Sequence, residues 1–433
     1  MRTFSFYLIL FLSFTIAGCK TKALVVNTTT DTPDINPGDG QCEDANGKCS
    51  LRAAVQEVNA GKSDLRIDVR AGTYTLDSPL HVYAPLIIIR GEGPDKTVVE
   101  GNGRRDNRGF TVLHLDNDSS QRVQAISIEG LTVAKGYAPS QAGYVAHPVS
   151  NGAGGGIFVG RYAKVSLRDV TVRDNTARLQ GGGIANYGRL QMVDCQVQNN
   201  ENSIRSGGGI FNWGSLKMSD CAVVRNKTGV DQGDSSTPYG AGIYSRGRLT
   251  MTNCTVSEND AGPTKRDRSI YGNYGAGIHL GGSHITRLIN CTIADNKGHY
   301  SDLASISVKG STVPAQLQNC IVTSHRIENL YGPITSLGGN IMKDVSSNAT
   351  FTRDPSAVAP DVVGTSANKV DPQLEPLQQV RHSWVHKLTI NSPAIAAADT
   401  AACPQQDQLG QHRGRPCDCG AVEYDSSSAQ NGR

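Results

Sequence analysis

From about residue 154 to residue 296 the chain repeats one pattern of apolar and polar positions five times. Aligned on a single isoleucine, the repeats open GGGIFVG (Gly154–Gly160), GGGIANYG (Gly181–Gly188), GGGIFNWG (Gly207–Gly214), GAGIYSRG (Gly240–Gly247) and GAGIHLGG (Gly275–Gly282). Each opening leads into an alternation that closes on asparagine: VSLRDVTVRDN, LQMVDCQVQNN, LKMSDCAVVRN, LTMTNCTVSEN and LINCTIADN. Apolar residues alternate with polar ones, as along Leu216–Val223, which is the period of a strand and not of a helix. Counted from Ile184 to Ile210 the repeat is about 26 residues long, within the range of solenoid units.

A unit of three short strands cannot bury its own apolar face and becomes stable by stacking on copies of itself. The pattern therefore predicts an all-β, right-handed parallel β-helix in which equivalent positions form ladders about 4.8 Å apart. Ile157, Ile184, Ile210, Ile243 and Ile278 make one inward ladder, and Cys195, Cys221, Cys254, Cys291 and Cys320 another. Asn175, Asn200, Asn226, Asn259 and Asn296 make a turn ladder whose amides bond to one another. Ser50–Ala60 (SLRAAVQEVNA) reads as a short helix with Ser50 as its N-cap and Leu51, Ala54, Val55 and Val58 on one face. A helix at that place covers the open end of the stack. Strands begin at Ile67, the repeats fade after Asn296, and from about Gly332 the text turns to Pro, Asp, Ser and Ala. The expected organisation is a signal over 1–18, a tether over 19–41, the capped β-helix over 42–331, a C-terminal coil and cap over 332–424, and a polar tail over 425–433.

Composition alters this picture little. Glycine is frequent (48 residues) and aromatics are scarce (6%), as coils with many turns require. A net charge of +3 is too weak to imply nucleic acid. Met1–Gly18 joins a basic Arg2, an apolar run over Phe4–Phe14 and the small residues Ile16, Ala17 and Gly18 before Cys19. This arrangement resembles a bacterial lipoprotein signal, which implies lipidation of Cys19, a membrane held through that anchor alone, and, with Lys20 next, an outer-membrane or cell-surface location. An ordinary secretory peptide ending near a cysteine is the alternative. Export permits disulfides. Cys42 with Cys49, and Cys403 with Cys417, are the expected pairs, while the ladder cysteines read as buried thiols.

Three further stretches carry family resemblances. CSLRAAVQEVNA (Cys49–Ala60) resembles the CSLREA motif that opens many exported bacterial β-helix proteins, with Ala53 where that motif has Glu. The GGGI repeats resemble those of chlamydial polymorphic membrane proteins. SPAIAAAD and DQLGQHRGRPCDCGAVEY resemble the choice-of-anchor Q region. Together with a broader likeness to the pectate-lyase-like superfamily, these imply the fold and export, not an activity.

Candidate chemistry follows from the ladders. The residue after each ladder isoleucine points away from the core: Phe158, Ala185, Phe211, Tyr244 and His279. Tyr187, Trp213 and Arg246 follow at the turn. Long insertions at Lys135–Ala153, Thr228–Tyr239 and Asp260–Tyr274 leave from one register and carry Tyr144, His147, Lys265, Arg266, Arg268, Tyr271 and Tyr274, with Arg178 and Arg205 in the shorter connections. Rings beside a file of cations suit an extended anionic polysaccharide. Polar loops of an exported protein would look much the same. Three readings compete: a monomeric surface binder or adhesin, a polysaccharide lyase, and a structural stalk. In the lyase His279, Tyr244 and Lys265 are candidate bases, and Arg246 and Arg268 neutralise the uronate carboxylate. Asp231 and Asp234 are too few to hold Ca²⁺, so no metal or cofactor is expected. A glycosidase ranks last, because no trio of carboxylates is evident on one strand edge.

Overall fold

The computed structural model describes residues 23–61, 66–103, 108–116, 124–140, 152–204, 206–229, 239–262, 275–298, 304–324 and 328–425. The expected export signal and Cys19 lie outside them. So do Tyr144, His147, Arg205, Asp231, Asp234, Lys265, Arg266, Arg268, Tyr271 and Tyr274. The chain is a right-handed parallel β-helix, whose strands join in a 29-stranded sheet wound around the axis and a short 6-stranded sheet.

Each regular coil has four short strands, one more than the three expected. In the coil of Ile184 they are Ile184–Asn186, Arg189–Val193, Gln196–Gln198 and Glu201–Asn202. Successive coils pair in parallel and in register, so Ile157, Ile184, Ile210, Ile243 and Ile278 stack as fully buried partners. The register reaches past the clear repeats, through Leu80 and Leu113 on one side and Ile306 and Leu330 on the other. The ladder cysteines are free and buried among these columns. Burial pushes the thiols of Cys221, Cys291 and Cys320 up.

Two corners of each coil turn on a single left-handed residue. Asp174, Asn199, Arg225, Glu258 and Asp295, with φ between 54° and 57°, lead directly into the asparagine ladder. Asn and Asp tolerate that region best. Where Arg225 and Glu258 stand instead, the two side chains pair at 2.7 Å. The ladder asparagines are buried, and their amides bond from coil to coil: Asn175 to Asn200 and Asn200 to Asn226 at 3.0 Å, Asn226 to Asn259 and Asn259 to Asn296 at 2.9 Å. The remaining amide hydrogen of Asn226 goes to the Val197 carbonyl at 2.9 Å. The GxG spacing follows from the same ladder. Gly181 has φ of +63°, and a Cβ on Gly183 would sit 2.9 Å from the amide of Asn200.

At the N-terminus the structure departs from the expected tether. Ala23–Val26 pairs in parallel with Arg66–Val69 and makes the first rung. The helix Leu51–Ala60 packs on this end, N-capped by Ser50 Oγ, which accepts from Ala53 N at 2.9 Å. Buried Glu57 accepts the N–H groups of Gly38 and Gly40, and Arg52 forks onto Asp31 with two bonds of 2.8 Å. Disulfide Cys42–Cys49 closes the preceding turn.

The C-terminal cap takes a different form from an end plug. Residues up to Val363 add further coils. From about residue 370 the chain turns back and runs along the outside of the third strands as a strap. Asp418 receives Asn290 Nδ2 at its carbonyl, Gln408 receives Thr255, His386 meets Ser257, and Trp384 donates to Gln198 at 2.6 Å. Buried Arg413 bridges Glu423 and Asn253, and disulfide Cys403–Cys417 braces the strap. The outer side of the third strands is Thr255, Thr292 and Ile321, polar enough to bond the strap and apolar enough to need a cover.

Replacing Asn226 by Ala strips partners from the Val197 carbonyl, from the main-chain and side-chain nitrogens of Asn200 and from Asn259. We expect a loss of about 3 kcal/mol or more in urea unfolding. Exposed Lys217→Ala should stay within about 0.5 kcal/mol. Equal effects for the two variants would refute the ladder's role.

Candidate functional site

The outer side of the first strands carries the aromatic column that the alternation predicts, but it is not an open platform. Phe158, Ala185, Phe211, Tyr244 and His279 are in register. Phe158 and Phe211 are 1% exposed, and His279 is 3% exposed. Two rings from the corners close over them. Ala185 leaves a gap, and Tyr187 folds back into it, 5.7 Å from Phe158 and 5.6 Å from Phe211. Tyr239 covers Tyr244 and His279 at 5.9 and 5.0 Å. The result is an unbroken file of rings from His81 and His114 to His279, with Phe211, Tyr244 and His279 stacked nearly parallel.

This burial changes the chemistry available there. Burial, helped by Lys309, holds the His279 imidazole down to about 3, so it is neutral and a weak base. Burial raises the phenols of Tyr244 and Tyr187, the reverse of what a base requires. Tyr187 donates instead to Gln180 Oε1. Buried His279 is not placed to take a proton from a sugar lying on the surface, and half-buried Tyr244 holds its own proton too tightly to act as the base. Phe211, expected as a sugar platform, is core.

The exposed chemistry sits one corner further on, where the first strand turns into the second. Trp213 is 47% exposed, and the Arg246 guanidinium lies 4.5 Å over its ring. Tyr162 is exposed at the equivalent turn of an earlier coil, and His284 at a later one, bonded to the Arg246 carbonyl at 3.0 Å. The outer face of the second strands continues from this corner. Lys164, Arg189, Ser215 and Arg248 form one outward column. Gln191, Lys217, Thr250 and Arg287 form the next. Lys164, Arg189, Lys217 and Arg248 are exposed and make no ion pair among the described residues. Lys164 and Arg189 stand on adjacent rungs about 4.8 Å apart, while Ser215 spaces Arg189 from Arg248 and Gln191 and Thr250 flank Lys217, so the face carries spaced positive charges that a polyanion can neutralise. Arg178 stands apart, half-buried at the corner between the fourth and first strands, with its N–H on the Ala138 carbonyl.

The far border of this face is a feature the sequence reading passed over, and it corrects the expectation that no trio of carboxylates shares an edge. Asp169, Asp194 and Asp220 occupy the same left-handed corner of three successive coils, and Asn253, Asn290 and Asn319 continue the column. Burial raises all three carboxyls; that of Asp220 is pushed up to about 6, with neighbouring Asp194 adding to the effect and Asn253, which donates at 2.9 Å, opposing it. The signal was present as the Asp or Asn directly before each ladder position, as in VDC, SDC, TNC, INC and QNC. Among the described residues no group of three or more His, Cys, Asp or Glu is arranged to hold a metal.

No family model and no curated protein matches this chain. Among solved structures it is similar to pectate lyase Pel9A over 95% of this chain and 98% of that one, at 13% identity and a TM-score of 0.51. It is more remotely similar to the A-module of mannuronan C-5 epimerase AlgE4 from Azotobacter vinelandii, at 14% identity over 80% and 96% of the two chains and a TM-score of 0.38. Pectin methylesterase PemA from Erwinia chrysanthemi follows at 10% identity over 78% and 94%, with a TM-score of 0.34. The first likeness is in keeping with the class already evident from the strand pairing, a right-handed parallel β-helix, and at such identity it speaks for the fold alone.

The raised carboxyl of Asp220 has a measurable consequence. Its folded-state value near 6 lies above the ordinary 3.8, so the folded chain holds that proton more tightly than the unfolded one. Stability from this group is full below about pH 3.8 and is lost as pH rises through 6. Asp220→Asn, which extends the asparagines of the same column, should therefore stabilise by about 1–2 kcal/mol at pH 7.5, discounted for partial exposure, and far less at pH 3.5. Urea unfolding at the two pH values reads this. An equal change at both would contradict it.

Proposed function

We propose that the protein is an exported, surface-anchored β-helix lipoprotein that binds an extended anionic polysaccharide along the outer face of its second strands. The observation that carries this reading is the group of four exposed cations, Lys164, Arg189, Lys217 and Arg248, without acidic partners among the described residues, beside exposed Trp213 and Arg246. Arg246 over the indole fixes a flat, polarised surface on which a sugar ring can stack, and Lys164, Arg189, Lys217 and Arg248 meet successive carboxylates or sulfates. The fold shared with a pectate lyase is in keeping with a carbohydrate ligand. The lipid anchor rests on Cys19 and its preceding small residues, and the chain acts as a monomer.

Protein lacking residues 1–19, passed over polygalacturonate and alginate gels at low salt, should be retained and should elute as salt rises. Trp213→Ala and Arg246→Ala should each weaken retention about tenfold, near 1.4 kcal/mol. Lys217→Glu should flatten the salt dependence. No retention on any anionic glycan would refute the reading and favour a structural stalk or a protein-binding adhesin.

A second reading is favoured by the aspartate corner. Asp194 and Asp220 stand on adjacent rungs and sense each other electrostatically, and retaining glycosidases work with two neighbouring carboxyls. Asp220, protonated up to about pH 6, suits the acid, and Asp194, which faces Arg168 at 3.9 Å, is left for the nucleophile. Release of reducing ends that is lost in both Asp194→Asn and Asp220→Asn, with retention on the gel intact, would support hydrolysis. Absence of release between pH 5 and 7 would sink it.

A further inference from the structure

A different flank of the molecule carries a second feature, independent of the cation columns. Along the third strands the strap generally seals tightly. Over Ala222 and Val224 it does so with Leu377 in an apolar contact. One rung away, at Gln196, the in-register partner of Ala222, it does not. There a pocket of about 180 Å³ opens between the solenoid and the hairpin Gln378–Val385. Its floor is Thr132, Thr171 and Gln196, stacked on three coils, and Gln198 and Gln379 add amides at its sides.

Two observations indicate a ligand in this pocket and not merely a packing gap. Gln196 is only 6% exposed, yet its side-chain oxygen has no hydrogen-bond partner. A buried amide oxygen without a donor marks the place where one is missing. The charged groups around the pocket are also already paired: His382 with Asp95 at 3.1 Å, and Arg173 with Asp174 at 2.6 Å. What is left to meet a ligand, beside these paired groups and the apolar Pro94 and Val98, is a set of amides and hydroxyls that both donate and accept. Such a site discriminates against ions, whose charge would find no free counter-charge, and against apolar molecules, which would strand its polar groups. It fits a ring that bears a donor and an acceptor on every carbon.

We propose that this pocket binds one neutral pyranose unit, with the Gln196 amide turning to bring Oε1 onto a ring hydroxyl. The site is distinct from the polyanion face, since it lies on the third-strand flank and is roofed by the strap. The ligand can be a free monosaccharide or the end unit of a neutral glycan, and the chemistry is the same for both.

The chain provides its own reporter. It has two tryptophans, Trp213 and Trp384, and the Trp384 indole N–H is bonded to pocket residue Gln198. In a Trp213→Phe background all indole emission comes from Trp384. Titration with glucose, galactose, mannose and rhamnose, and in a second arm with neutral oligosaccharides, should give a saturable change in that emission with at least one sugar at millimolar concentration. Gln196→Leu, which fills the floor without an acceptor, should weaken that response at least tenfold, while circular dichroism and the position of the unfolding transition confirm that the variant folds. A response to oligosaccharides and not to free sugars places a chain end in the pocket and upholds the proposal. It is overturned if no sugar gives a saturable change, if glycerol gives the same one, or if the response survives Gln196→Leu; the pocket then holds water only. Polyanion retention is measured in the native Trp213 background, so failure here and failure of the polysaccharide reading are separate results.

Discussion

The molecule depends on a single file of asparagine amides hydrogen-bonded at about 2.9–3.0 Å from coil to coil. Each of these groups is buried, where an unpaired amide would be strongly unfavourable, and each is satisfied only if the next coil stands one rung above in register. A slip of one residue would break the file and turn every apolar side chain of that coil outward. The ladder thus converts a local sequence repeat into a long-range constraint. Lys164 and Arg248, far apart in the chain, become members of one column because Asn175 and Asn259 are members of another.

Once register is fixed, the corners of the coil take separate tasks. The asparagine corner locks the stack. The corner after the first strand presents Trp213 and Arg246, and the left-handed corner after the second strand presents Asp169, Asp194 and Asp220. The exposed second-strand face lies between a cationic, aromatic border and an acidic one. The third-strand flank, by contrast, is closed by the strap, which uses buried Arg413 to join Glu423 to Asn253 and Trp384 to join Arg225 to Gln198. Ring stacking between adjacent coils covers the outer side of the first strands, while isoleucine fills the inner side.

Much of this was legible in the text, for identifiable reasons. Period-two alternation and a recurring asparagine specify both faces and the ladder, because each repeat encodes the same local geometry. Alternation says which way a side chain points and not what lies on it, so Phe211 and His279 read as surface and are core. Tyr187 dropping into the space left by Ala185 depends on two neighbouring coils at once. The corner column stands in the sequence as an Asp or Asn before each ladder cysteine and before Val170, but alternation alone does not mark a left-handed corner. The strap has no period to read. Its contacts join residues such as Arg413 and Asn253 across 160 positions, and nothing in an irregular Pro- and Gly-bearing segment announces them. Ala23–Val26 is too short a run to distinguish a first rung from a tether.

The most direct test of the central claim is a distance along the stack. Ser166, Gln191, Lys217, Thr250 and Arg287 form one outward column, so nitroxides at Ser166 and Arg287, attached through non-cysteine chemistry, are separated by four rungs. Pulsed electron resonance should give a single narrow distribution near ~19 Å, four steps of about 4.8 Å, widened only by the label arms. A broad distribution, or one centred well beyond that length, would mean that the coils are not held in register, and the shared face built from them would not exist.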